Sequence, residues 1–137
     1  MSSSLGTAVV TRAARGIGRR IVQGRADDGY RIVAIDRLEA VHDVADGLRA
    51  AGADVVSEVL DIRDRVAVGS LMERHAPIDV IVNNAAVTGT YHFEELTEEH
   101  FRETFDINAV GTFVVAQEGA RRMRNGGRIV NIASRSC

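Results

Sequence analysis

Short apolar runs alternate along the chain with stretches in which apolar residues recur three or four positions apart. Residues 79–83 form a largely apolar run, as in a strand buried on both faces. Residues 38–51 repeat valine, alanine and leucine at the spacing of one helix face. This alternation predicts an α/β fold with a parallel sheet and helical crossovers. The predicted strands cover residues 7–11, 31–36, 54–61, 79–83 and 128–133, and the predicted helices cover residues 17–28, 38–51, 64–75 and 97–124.

Five strands joined by four crossover helices predict a doubly wound, Rossmann-type parallel sheet. The 137 residues fit one domain by length, so we assign residues 1–137 to a single unit.

Composition and charge argue against several classes of protein. The net charge is −2 and the basic residues are scattered among acids, unlike the clustered basic face of a nucleic-acid-binding protein. No apolar run approaches the ~20 residues of a membrane span, and residues 1–5 lack the basic and apolar segments of a secretory signal. Cys137 is the only cysteine, so we expect no disulfides and a cytoplasmic location. The four histidines, His42, His75, His92 and His100, show no metal-ligand spacing, and no metal is expected.

The turn after the first predicted strand carries the first functional signal. Residues 11–18 read TRAARGIG and lead into a helix. Glycines at such a turn let the backbone approach a pyrophosphate, and the helix N-terminus offers free amides. Asp36 ends the next predicted strand, close to the spacing expected of an acid that binds ribose. Alone, each feature also fits an ordinary strand–helix turn or a solvated strand end; together they predict dinucleotide binding.

Two further motifs make the resemblance specific. Residues 83–86 read NNAA after the fourth predicted strand, and residues 129–134 read IVNIAS at the fifth. With the turn and Asp36, they show that residues 5–134 resemble the short-chain dehydrogenase/reductase family. Right-handed crossovers and this resemblance imply the strand order 3-2-1-4-5, with the ligand at the carboxyl ends of strands one and four. The resemblance implies hydride transfer between a nicotinamide cofactor and a small-molecule secondary alcohol or ketone.

The resemblance also assigns roles to individual residues. Asp61 would bind the adenine amino group with the Ile62 backbone beside it, and Asn84 would lie near the nicotinamide ribose. Ser134 would hydrogen-bond the substrate carbonyl, with Ser136 as a nearby competitor. Asn108 would hold a water in a proton relay, or it is simply a buried amide with satisfied hydrogen bonds. The complete set of expected cofactor-binding residues is Thr11, Arg12, Arg15, Gly16, Ile17, Gly18, Asp36, Arg37, Asp61, Ile62, Asn84 and Ala85.

The choice between the two nicotinamide cofactors depends on Asp36. Its carboxylate can accept both adenosine ribose hydroxyls of NAD and would repel the 2′-phosphate of NADP. Arg15 and Arg37 instead favour NADP, because basic residues at these places in the family often accompany NADP. Since the carboxylate at the strand end usually decides, we expect NAD rather than NADP.

Three residues depart from what the family or the helix pattern would have. Arg12 stands where the family has glycine, so a positive φ there would add backbone strain, although the guanidinium could instead reach a phosphate. Ala86 also replaces a family glycine, a mild change. Arg25 follows Ile17 and Ile21 on the helix face expected to be buried. Its charge is either buried without a partner or carried to the surface on a packed stem.

The family's proton-transfer pair is missing from the sequence. Catalysis in the family needs a Tyr-x-x-x-Lys helix after the serine, but the chain contains no lysine, and its two tyrosines are Tyr30 and Tyr91. We therefore expect an inactive, incomplete member without that helix and the later strands. An alternative is a non-catalytic nucleotide-binding or interaction fragment that docks on a complete paralogue. Because family members pair through the helix of residues 97–124 and the missing helix, a native-like homo-oligomer is not expected, and the fifth strand would have an open edge.

Overall fold

The computed structural model describes residues 3–134 and contains one parallel sheet. The order of its five strands is β3-β2-β1-β4-β5, which confirms the expected doubly wound topology. The strands are β1 (Thr7–Thr11), β2 (Arg31–Asp36), β3 (Val55–Val59), β4 (Ile78–Asn83) and β5 (Met123–Asn131).

Helices cover both faces of the sheet. A single helical stretch between β4 and β5 includes a π-helical segment at Asp106–Gly111, where a regular helix was expected. The α-helices are α1 (Gly16–Asp27), α2 (Ala40–Ala50), α3 (Arg65–His75), α4 (Glu98–Phe105) before the π-helical segment and α5 (Thr112–Ala120) after it, and a 3-10 turn covers Phe93–Glu95.

Apolar cores fill the space on the two sides of the sheet. Val9 and Val10 are neighbours on β1 and both are fully buried, but Val10 packs with Val22 of α1 while Val9 packs with Leu71 of α3. Successive strand residues point to opposite faces, so a strand covered on both sides must be apolar at every position. This explains why residues 8–10 at the centre of β1 are all apolar.

The end of the long helix and the start of β5 were predicted wrongly. The helix ends at Ala120 instead of residue 124, and β5 begins at Met123 instead of residue 128. Arg124 forms an ion pair with Asp79 of β4 at 2.8 Å, and Gly126 adopts a φ of +86°. A register shift in the β4–β5 pairing accommodates the extra residues, as in a β-bulge. Of the three arginines that suggested a helix C-terminus, Arg121 and Arg122 therefore lie in the turn after the helix, and only Arg124 belongs to the strand.

The outward face of α1 also differs from expectation. Ile17 is 61% exposed, Ile21 is half-buried, and of the three apolar residues only Val22 belongs to the core. Arg25 is 47% exposed and pairs with Asp28 at 2.8 Å, so its charge lies at the surface and is not buried unpaired. Its stem lines an open apolar groove with residues such as Val130. Arg25→Leu would therefore remove a surface charge, and no stability gain from removing a buried charge is expected of it.

A buried carboxylate joins α3 to α5. The Glu118 side chain is 7% exposed and accepts hydrogen bonds from Arg65, Arg121 and Arg122, each at 2.8 Å. The hydrogen bonds from Arg65 and Arg122, and the charge of Arg121, hold the pKa of Glu118 below its ordinary value of 4.5. The ionised form is therefore favoured by folding.

We expect the contribution of Glu118 to stability to depend on pH. Because its pKa is lower in the folded chain, the contribution is complete above 4.5 and is lost as the pH falls through the lowered value. Glu118→Gln should lower the urea midpoint at pH 7, and the difference from the unmodified chain should shrink in acid. An equal difference in urea midpoint at both pH values would show that Glu118 stabilises the chain through packing and not through its charge.

Candidate functional site

A cleft opens at the carboxyl ends of β1 to β4, where the order of the strands reverses. The space in the cleft is about 590 Å³, and this volume includes open solvent at its mouth. Ligands of doubly wound sheets bind at this position. The lining residues are Arg12, Arg15, Ile35, Asp36, Arg37, Leu38, Leu60, Asp61, Ile62, Arg63, Ala85, Ala86, Val87 and Ile107. Seven of the twelve expected cofactor-binding residues are among them; Thr11, Gly16, Ile17, Gly18 and Asn84 are not.

The turn between β1 and α1 is shaped by two residues in the left-handed region. Arg12 has a φ of +52° and Gly16 a φ of +58°. For arginine, this conformation costs on the order of 1–3 kcal/mol. A Cβ added at Gly16 would meet no atom within 4 Å, which leaves open space at the start of α1. The backbone of the turn is thus strained at Arg12, and a ligand can approach it at Gly16.

Gly18 has a different role from Gly16. A Cβ built on it would lie 1.9 Å from the carbonyl oxygen of Arg12 and 2.7 Å from Nδ2 of Asn84. Only glycine lets α1 begin so close to the turn. Within residues 3–134, the N-cap residue Arg15 makes no side-chain capping hydrogen bond. The helix start is therefore a site where backbone amides can bind an anion.

We expect Arg12→Gly to raise affinity for NAD. The change removes a bulky side chain from the turn, where the backbone would lie against the pyrophosphate. Relief of the backbone strain, about 1–3 kcal/mol, should raise folding stability instead. Titration calorimetry with NAD measures the affinity, and Arg12→Asn is a suitable control, because asparagine tolerates the left-handed region but keeps a polar side chain. A fall in NAD affinity for Arg12→Gly would instead identify Arg12 as a phosphate ligand.

Asp36 is buried at the end of β2 and fixes the same turn. Its Oδ2 accepts a hydrogen bond from the Ala14 amide and its Oδ1 accepts one from the Leu38 amide, both at 3.0 Å. The carboxylate is thus not the solvated strand end that its position alone would allow. Each oxygen keeps a further lone pair for a ligand hydroxyl. The structural role of Asp36 was not visible in the sequence.

Thr11 ties the ends of β1 and β4 together. Its hydroxyl accepts hydrogen bonds from the amides of Asn84 and Ala85, both at 2.9 Å, and lies 3.5 Å from the carbonyl of Val82. These contacts use its two acceptor positions and its donor. The hydroxyl of Thr11 therefore positions the chain after β4 and has no capacity left for a ligand.

Asp61 lies at the far end of the cleft and is paired with Arg63. The guanidinium of Arg63 contacts both carboxylate oxygens, the shortest distance being 2.6 Å from Nη2 to Oδ2. This hydrogen bonding is the main reason that the pKa of Asp61 lies below its ordinary value. Ile62, next along the chain, is buried and would contact any Cβ added at Gly111. Arg63 was missed by the sequence reasoning, although an arginine two residues after an acid in a loop can reach it.

Asn108 lies within the π-helical segment and holds the loop after β4. Its Oδ1 accepts from the Val87 amide at 2.7 Å, and its Nδ2 donates to the Val87 carbonyl at 2.9 Å. This agrees with the alternative of a satisfied amide, and a part in a proton relay stays a prediction. The irregular helix had one signal in the sequence, since asparagine is a poor helix former.

The expected catalytic residues do not line the cleft. Ser134 is exposed beyond the end of β5, and Ser136 lies outside the described residues. Tyr30 packs against the core that contains Val22 of α1, and Tyr91 stacks on His100 with ring centroids 4.3 Å apart.

Residues 3–134 contain neither a membrane-spanning helix nor a cluster of metal-binding side chains. No described helix has both the length and the apolar character needed to cross a bilayer. No group of three or more His, Cys, Asp or Glu side chains in that range is arranged to hold a metal ion.

Comparison with known proteins identifies relatives over almost the whole chain. The sequence model described as short chain dehydrogenase matches residues 6–137. A sorbitol dehydrogenase of Cereibacter sphaeroides is 36% identical over 95% of this chain and 53% of its own length. A versicolorin reductase of Emericella nidulans is 34% identical over 93% of this chain and 50% of its own length. The chain thus spans about half the length of these curated relatives.

Solved structures show the same relationship. A structure described as a putative NAD(P)-dependent gluconate 5-dehydrogenase from Beutenbergia cavernae, with bound NADP at low occupancy, is 33% identical, with a TM-score of 0.88. It aligns with 97% of this chain and 55% of its own. A short chain dehydrogenase from Mycobacterium paratuberculosis bound to NAD is 28% identical, with a TM-score of 0.90, and aligns with 96% of this chain and 56% of its own.

Proposed function

The chain belongs to the short-chain dehydrogenase family, and from that membership and the geometry of its cleft we propose that it forms the NAD-binding part of an oxidoreductase. The complete enzyme would move hydride between the nicotinamide and a secondary alcohol or ketone. The observation that carries the proposal is the turn after β1, where an open Gly16 and a tightly packed Gly18 lie beside the buried Asp36.

The residues present fit a dinucleotide laid along the cleft. The amides at the start of α1 would hold the pyrophosphate, with Arg15 supplying positive charge. Asp36 would accept the adenosine ribose hydroxyls, and Asp61 would face the adenine. The chain after β4, fixed by Thr11, would lie beside the nicotinamide ribose. When bound, the nicotinamide supplies or accepts hydride, and the protein supplies position and charge.

Ser134 and Asn108 are the chain's own candidates for the substrate end. Ser134 would donate a hydrogen bond to the substrate carbonyl and orient it. Asn108 fixes Val87 at the rim of the cleft. A hydroxyl donor of this kind stabilises charge that develops on a carbonyl oxygen.

The cofactor proposed is NAD, with NADP disfavoured. The Asp36 carboxylate would lie against the ribose carbon that bears the 2′-phosphate in NADP, and like charges at short range repel. The solved relatives include one with NADP and one with NAD, so family membership alone leaves this choice open. The charge of Asp36 therefore supports NAD within the family.

Substitution of Asp36 tests the cofactor proposal. The unmodified chain should bind NAD at least about tenfold more tightly than NADP, a difference of about 1.4 kcal/mol. Asp36→Asn removes the charge but keeps an acceptor oxygen, so it should narrow this gap. Asp36→Ala should narrow or reverse it, because Arg15 and Arg37 would then attract the phosphate. It should also lower stability by about 1–3 kcal/mol, since the amides of Ala14 and Leu38 lose their acceptor.

Titration calorimetry with both cofactors and urea denaturation separate these effects. Tighter NADP binding by the unmodified chain would refute the choice of NAD. A failure to bind either cofactor at millimolar concentration would refute dinucleotide binding altogether.

A further inference from the structure

One arginine saturates the carboxylate at the adenine end of the cleft. The Arg63 backbone amide donates to Asp61 Oδ1 at 2.9 Å, and its Nε lies 3.1 Å from both carboxylate oxygens. Its Nη2 donates to Oδ2 at 2.6 Å. A carboxylate has about four acceptor positions. Three N–H groups of Arg63 contact the carboxylate, and one of them is shared between the two oxygens. Together they occupy all of its acceptor positions.

Arg63 is paired with Asp61 and is also influenced by other acids. Its hydrogen bond to Asp61 is the main reason that the pKa of Arg63 is raised, and the charges of Glu103 and Asp106 act in the same direction. The side chains of Asp61 and Arg63 are 42% and 39% exposed, so both reach the wall of the cleft. A base entering the cleft meets the ion pair, not a free carboxylate.

The two purine 6-substituents would interact differently with this pair. The 6-amino group of adenine is a donor and needs an acceptor, but the acceptor positions of Asp61 are taken. The 6-oxo group of hypoxanthine is an acceptor, and Arg63 retains guanidinium N–H groups that are not used on Asp61. Arg63 thus removes the advantage that a free carboxylate would give to adenine.

We propose that Arg63 is a specificity-determining residue that suppresses recognition of the adenine amino group by Asp61, so that the cleft binds adenine and hypoxanthine dinucleotides with similar affinity. This inference rests on the proposed dinucleotide binding. It concerns the ratio of two affinities rather than their absolute values.

Calorimetric titration with NAD and with nicotinamide hypoxanthine dinucleotide tests the proposal. The unmodified chain should bind the two within about threefold of each other. Arg63→Leu keeps the apolar stem and frees the Asp61 carboxylate, so the preference for NAD should rise to about tenfold or more, or about 1.4 kcal/mol. Both ligands carry the same charge, so loss of a positive charge from the cleft cancels in the ratio.

Two further variants isolate the contact. Arg37→Leu removes another arginine of the cleft, one that does not hydrogen-bond Asp61, and should lower both affinities while leaving their ratio unchanged. The double variant Arg63→Leu with Asp61→Ala has no side-chain acceptor at position 61, so it should lose the preference that Arg63→Leu gains.

The outcomes distinguish the two levels of inference. A tenfold preference for NAD in the unmodified chain, or an unchanged ratio in Arg63→Leu, overturns the role of Arg63 while dinucleotide binding stands. Absence of binding by both dinucleotides in every variant overturns the proposed function and this role with it.

Discussion

Residues 1–137, prepared as a separate polypeptide, are expected to give no steady turnover of NADH or NAD with any secondary alcohol or ketone. The sequence contains no lysine, and its tyrosines are Tyr30 and Tyr91. Tyr30 packs against the core and Tyr91 stacks on His100, so neither lines the cleft. General acid–base catalysis typically contributes about 10²–10⁴-fold, and neither tyrosine is placed to supply it.

The measurement is a spectrophotometric assay of NADH over a panel of alcohols and ketones. NAD binding by the same preparation serves as the control, because it shows that the cleft is folded. Steady turnover that survives removal of trace host enzymes, and that scales with the polypeptide concentration, would defeat the expectation.

The fold follows from the sequence wherever one physical requirement dominates. The bounds of β1 and β2 were predicted residue for residue, because both strands are buried on both faces and their apolar runs end at polar residues. The end of the long helix was not, because Arg124 contacts Asp79, a residue distant in sequence. Local preference favoured a helix there, and pairing with β4 outweighed it.

The functional site likewise contains features that the sequence predicts and contacts that it does not. Asp36 was found because its position at a strand end is a sequence property, whereas its hydrogen bonds to Ala14 and Leu38 arise from the path of the folded chain. Asn108 was flagged as out of place in a helix, but its two bonds to Val87 depend on a turn of π-helix that no local pattern specified. Side chains near the cleft could thus be named from the sequence, and their partners could not.

Gly18→Ala is expected to have the largest effect of any single methyl group added to the turn after β1. The new Cβ would lie 1.9 Å from the Arg12 carbonyl oxygen, which is backbone and cannot rotate away. The start of α1 must therefore move relative to β1. We expect a loss of about 1–3 kcal/mol or more of folding stability from overpacking, and at least a tenfold loss of NAD affinity, or about 1.4 kcal/mol.

Two other glycines of α1 supply matched controls. Gly24→Ala adds the same methyl group where no atom lies within 4 Å, and should raise stability by about 0.5–1 kcal/mol through helix propensity. Gly16→Ala meets no atom either but must hold a φ of +58°, so it should show the cost of backbone strain without a clash. Urea denaturation of the three variants and calorimetry with NAD give the comparison. If Gly18→Ala matches Gly24→Ala in both measurements, α1 does not need the close approach to Arg12, and the turn does not depend on glycine at that position.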